Sequence, residues 1–130
     1  MTGTGDGIAV VLLAHGARDP RWAEPFLAVA EEVRREAPGL DIELAYLEHL
    51  EPPLEEAAHR LAGRGARKIR VVPLFVGRGG HLRVDVPRRV EALARTLPGV
   101  AIDVALPAGD DAAVQRALAG YCLRAAGLRA

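Results

Sequence analysis

Residues Ile8-Ala9-Val10-Val11-Leu12-Leu13-Ala14 form an unbroken apolar run that ends abruptly in His15-Gly16. A strand that is apolar on both sides must be covered on both faces, which is the condition of an inner strand in a parallel sheet. Three further runs rich in β-branched residues follow, from Leu40 to Leu47, Ile69 to Phe75 and Val100 to Leu106. The first and last of these alternate apolar with acidic residues, as strands nearer an edge do. Pro73 cannot donate a ladder hydrogen bond, so the third strand ends or bulges there.

Between the runs the hydrophobic period changes to that of a helix. Trp22, Phe26, Val29 or Ala30 and Val33 make one apolar stripe, and Leu54, Ala57, Ala58 and Leu61 a second. Val86, Val90, Leu93 and Leu97 make a third, and Val114, Leu118, Tyr121 and Ala125 a fourth, in a segment where Cys122 reads as helix core. Each stripe is expected to cover the sheet. Asp19-Pro20 and Glu51-Pro52-Pro53 are helix starts, while Pro38-Gly39, Gly63 and Pro98-Gly99 are stops. Pro25 forbids a regular helix from Pro20 onward, which moves its start to about Glu24. The order βαβαβαβα predicts an α/β fold: a four-stranded, mainly parallel sheet of flavodoxin-like order 2-1-3-4, with helices on both faces.

The chain has 130 residues, half of them hydrophobic. That length suits a single domain over residues 8–127, preceded by a flexible tail over 1–7. Seventeen basic and seventeen acidic residues cancel, which argues against nucleic acid as a partner. The start of the chain lacks the basic region of a signal peptide, and no apolar stretch is long enough to span a bilayer. The single Cys122 offers no intramolecular disulfide. Together these predict a cytoplasmic protein without a membrane partner.

In open parallel sheets, ligands bind beyond the carboxyl ends of the strands, where strand order reverses. That rule selects His15 after the first strand, Glu48 after the second, and His81 in the glycine-rich loop after the third. Two histidines and one carboxylate can hold a divalent transition metal with positions left open, or can move protons near neutral pH. His49 is expected to point away from Glu48, and both His49 and His59 to lie on the surface. Residues 15–21 and 77–89 carry six arginines against two aspartates, a basic mouth suited to a polyanion. No dinucleotide fingerprint is present.

Leu12-Leu13-Ala14-His15-Gly16-Ala17-Arg18-Asp19-Pro20-Arg21 closely resembles the opening of the sirohydrochlorin chelatases, small class II tetrapyrrole chelatases of cobalamin and siroheme synthesis. Ala45-Tyr46-Leu47-Glu48 with Glu51-Pro52, and the segment from Pro73 to Pro87, resemble two further motifs of that family, in its order and spacing. The resemblance implies insertion of Co²⁺ or Fe²⁺, with Ni²⁺ a further candidate, into a metal-free tetrapyrrole, with no cofactor beyond that metal. It implies that His15, Glu48 and His81 handle metal and protons and that the chain works as a homodimer. Arg18, Arg21, Arg78, Gly79, Gly80 and Arg83 would then meet the carboxylates of the substrate. The chain departs from the family pattern at Ala17, at Arg78 and at Ala108-Gly109-Asp110-Asp111. Two other readings compete: a phosphohistidine-type phosphatase or mutase, whose motif requires Arg where Ala14 stands, and a non-catalytic metal carrier.

Overall fold

The computed structural model describes residues 7–77 and 80–128, without the side chains of residues 80–83. Strand β1 (Ile8–Ala14) lies between β2 (Asp41–Tyr46) and β3 (Lys68–Pro73), and β4 (Ala101–Val104) closes the far edge. The order is β2-β1-β3-β4, and every pairing is parallel. The Gly7 carbonyl accepts from the Arg67 amide at 2.8 Å, which ties the residue before β1 to the residue before β3.

The continuous apolar character of β1 is explained by two separate cores. Ala9, Val11 and Leu13 face helices α2 (Leu54–Gly63) and α3 (Gly80–Thr96), meeting Leu54, Leu61, Val90 and Leu93. Leu12 and Ala14 face the other way, with Ile42, Leu44 and Tyr46, toward α1 (Glu24–Glu36) and its Ala30 and Phe26. Leu54 and Leu61 are completely buried, and truncating either to Ala would cost ~2–5 kcal/mol through lost burial and the cavity left behind. The acidic residues of β2 are satisfied from the C-terminal cap of α2: Arg64 binds both carboxylate oxygens of Asp41 and reaches Glu43 at 2.9 Å.

Proline places the helix starts as expected. Asp19 caps a short 3-10 turn, Pro20–Ala23, accepting from the Arg21 amide at 3.0 Å, and the regular helix begins at Glu24. Pro53 precedes α2 and accepts from the Ala57 amide at 3.1 Å. The third helix begins earlier than the sequence suggests. Its range, Gly80–Thr96, puts the His81 backbone in a first helical turn and not in a glycine-rich loop.

The fourth helix, α4 (Ala112–Ala125), overturns one expectation. Its stripe does not cover the sheet, since no residue of α4 is buried, and Leu118 and Tyr121 are 43% and 61% exposed. Cys122 is exposed as well, not core. The helix is anchored at its start, where Asp111 caps the Val114 amide at 3.1 Å and Gln115 Nε2 donates to the Gly109 carbonyl at 3.0 Å. Among the described residues, no helix is long and apolar enough to cross a membrane.

Candidate functional site

Backbone hydrogen bonds between β1 and β2 continue beyond the ends of both strands. The Leu47 amide donates to the Ala14 and His15 carbonyls at 3.0 and 3.1 Å, and the Glu48 amide donates to the His15 carbonyl at 3.1 Å. The loop after β2 is therefore laid directly on the loop after β1. Gly16 permits this approach. Its φ is +101°, and a Cβ there would stand 1.8 Å from the Glu48 carbonyl oxygen.

This backbone seam brings together two of the residues selected from the sequence. His15 Nε2 lies 3.8 Å from Glu48 Oε2, with both side chains half exposed at the carboxyl edge of the sheet. Phe75, buried just beyond β3, presents an edge-on ring to the His15 imidazole, with centroids 6.5 Å apart. Three strand ends thus meet at one point, as the 2-1-3 order requires. Nearby, Tyr46 is buried under the seam, which pushes its phenol above the usual range.

His49 departs from expectation. Its Nε2 stands 3.5 Å from the same Glu48 Oε2, where alternation along a strand would have turned it away. The strand has ended at Tyr46, and a φ of 69° at His49 reverses the chain. The hydrogen bond from the Leu50 amide to the Glu48 carbonyl, at 2.8 Å, closes the turn. His59 is on the surface as expected, its ring 3.0 Å from Thr96 Oγ1. Arg78 and Gly79 lie outside the described residues, as do the side chains of His81 and Arg83, while Gly80 opens α3. Among the described residues, no three His, Cys, Asp or Glu side chains converge on a point where a metal ion could be held.

The basic mouth is smaller than the sequence implies. Arg21 is engaged by Asp19 through Nε and Nη2, the latter at 2.8 Å, and this pairing holds the Asp19 carboxyl below its usual range. Arg89 is taken up by the scaffold. It binds Glu55 at 2.8 and 3.0 Å and donates from Nη1 to the Leu47 carbonyl at 3.0 Å, so α3 secures the residue just before Glu48. The Arg89 guanidinium holds the Glu55 carboxyl below its usual range. Arg18, three residues after His15 in the chain, is exposed.

The sequence profile of the CbiX family matches residues 9–122. A sirohydrochlorin cobaltochelatase of Sulfolobus acidocaldarius is 36% identical over 104 residues, covering 80% of each chain. One from Methanopyrus kandleri is 36% identical over 81 residues, 62% of this chain and 57% of that protein. The crystal structure of a CbiX protein from Marinobacter aquaeolei VT8 superposes with a TM-score of 0.82 at 35% identity, covering 92% of this chain and 95% of the other. SirB from Bacillus subtilis with Fe³⁺ superposes with a TM-score of 0.77 at 26% identity, covering 90% of this chain and 46% of the SirB chain.

Proposed function

From the premise that the chain belongs to the CbiX family, we propose that it is a sirohydrochlorin chelatase, inserting Co²⁺ or Fe²⁺, with Ni²⁺ a further candidate, into the metal-free ring. The observation that carries the proposal is the half-exposed pair His15 Nε2 and Glu48 Oε2, 3.8 Å apart at the edge where three strand ends meet. The reaction replaces two pyrrole N–H protons by one cation. It therefore needs a group that accepts protons and groups that hold a partly dehydrated ion while leaving positions open to the ring nitrogens.

His15 and Glu48 supply one imidazole and one carboxylate on the open side of the sheet. His81, in the first turn of α3, supplies the third group. His15 accepts the protons or passes the ion on, and Glu48 and His81 complete an open coordination set whose last members are the nitrogens of the substrate. The tetrapyrrole is a polycarboxylate, met by Arg18 together with Arg21, Arg78 and Arg83 and by the backbone at Gly79 and Gly80. The pairing of Arg21 with Asp19 makes Arg18 the stronger contributor. The reaction calls for no nucleotide, no resident cofactor, no nucleic acid and no membrane, and it belongs in the cytoplasm.

The active form is a homodimer. The chain spans about half the length of the SirB chains it superposes on, 46% and 48%. In this chain α4 leaves Leu118 and Tyr121 exposed, a surface a second copy would cover.

The decisive experiment is anaerobic incubation of the protein with sirohydrochlorin and each of Co²⁺, Fe²⁺ and Ni²⁺, followed by visible absorption. The expected result is enzyme-dependent conversion of the spectrum with at least one metal, lost in His15→Ala. Metal binding without spectral conversion would identify a carrier instead, and hydrolysis of an aryl phosphate would identify a phosphatase. The buried Ala14 already argues against the latter, because no guanidinium can occupy its place.

A further inference from the structure

His49 is the sole non-glycine residue with positive φ among the described residues. With φ at 69° and a hydrogen bond from the Leu50 amide back to the Glu48 carbonyl at 2.8 Å, it is the central residue of a three-residue γ-turn. Glycine or asparagine would suit that backbone better than histidine does. What histidine adds is its ring: Nε2 stands 3.5 Å from Glu48 Oε2, and the same oxygen faces His15 Nε2 at 3.8 Å. The Glu48 carboxylate thus lies between two imidazoles, one just after β1 and one on its own neighbour in the chain. The His49 side chain is 38% exposed, so it borders the open site and is not core packing.

We propose that His49 is a positioning residue for metal handling, its imidazole fixing the Glu48 carboxylate so that Oε2 faces His15 before the divalent cation arrives. The proposal rests on the reading that His15 and Glu48 receive the metal. It adds a residue that acts through Glu48 and need not touch the ion. A freely rotating glutamate would have to be ordered at each binding event, whereas a carboxylate held from one side is already in place.

The test is a Co²⁺ titration of the whole protein without tetrapyrrole, read by the visible absorption of the bound ion, alongside steady-state chelation. His49→Gly removes the ring while easing the turn, so the variant keeps its fold. It is expected to weaken Co²⁺ binding about tenfold, the lower end for groups that orient metal ligands, and to raise the KM for Co²⁺ with little change in kcat. His49→Asn, which tolerates the same backbone and can donate to the carboxylate, is expected to recover part of the loss. In a Glu48→Gln background, His49→Gly should add no further weakening. Wild-type Co²⁺ affinity in His49→Gly, or an equal loss in both backgrounds, would overturn the proposal. If Glu48→Gln itself bound Co²⁺ like the wild type, the site assignment and this inference would fall together. A loss in Glu48→Gln without one in His49→Gly would overturn only the role of His49.

Discussion

A Cβ atom on Gly16 would stand 1.8 Å from the carbonyl oxygen of Glu48, closer than any non-bonded contact allows. The residue after the candidate base and the residue bearing the candidate carboxylate therefore touch through their backbones. Gly16→Ala must push the two loops apart and must also hold alanine at a φ of +101°. The expected outcome is a chelation rate lower by about a hundredfold, the scale of loss when reacting groups are displaced by ~1 Å. Stopped-time spectra with Co²⁺ and sirohydrochlorin check the rate, and thermal unfolding separates it from global loss of structure.

Arg89 connects α3 to the carbonyl of Leu47, and its removal strands both that carbonyl and the Glu55 carboxylate. Arg89→Ala is expected to destabilise the fold by about 1–2 kcal/mol, reduced from the value of a buried pair because both side chains are partly solvated. Urea unfolding at neutral pH measures this.

The same pair predicts a pH dependence. Glu55 has its folded-state pKa lowered, with the hydrogen bonds from Arg89 as the main cause. A group with a depressed folded pKa stabilises the fold above its unfolded value of 4.5 and loses that contribution as pH falls through the folded value. Glu55→Gln should therefore be less stable than wild type at neutral pH, with the difference shrinking below pH 4.5. Paired urea melts on both sides of that pH test the sign; a constant difference would contradict it.

Arg18 and Arg21 differ in what occupies them. Arg21 is held by Asp19 at 2.8 Å, while Arg18 is exposed. Arg18→Ala is expected to raise the KM for sirohydrochlorin about tenfold, equivalent to one charge-assisted hydrogen bond of ~1.4 kcal/mol, and Arg21→Ala to raise it less. Equal effects would show that Asp19 releases Arg21 to the substrate.

The exposed stripe of α4 predicts a concentration-dependent assembly. Leu118→Arg combined with Tyr121→Glu should shift the mass measured by light scattering from dimer to monomer. The sheet should survive, because no residue of α4 is buried within its own chain. A wild-type protein that is monomeric under the conditions of the chelation assay would dismiss the dimer.

Most of the fold can be read along the chain because β1 is apolar on both sides, and only an inner parallel strand suffers that without penalty. Prolines and their capping neighbours locate the helix starts to within a residue at Glu24 and Leu54. His15 and Glu48 are legible for the same reason: each is the first ionisable residue after an inner or adjoining strand. The rest depends on distances in space that sequence order hides. The partner of Arg89 is 34 residues away, so a count of local charges mistakes a scaffold cation for part of the mouth. An amphipathic stripe reports that α4 has an apolar face, but not which surface meets it. The position of His49 follows from a backbone reversal that strand alternation does not anticipate.

The pairing of β1 with β2 carries a consequence for how this chain can change over time. Ala14 pairs with Tyr46, and the hydrogen bonds continue to Leu47 and Glu48 without interruption. The separation of imidazole from carboxylate is thus an extension of the sheet's own rung spacing, set by peptide groups that every residue possesses. Hydrophobic exchanges inside either strand leave that ruler intact, so the interior can drift while the chemistry at its end stays aligned. Adding or deleting a single residue between Ile8 and His15 would instead slip the ruler by one rung and turn the imidazole toward the opposite face.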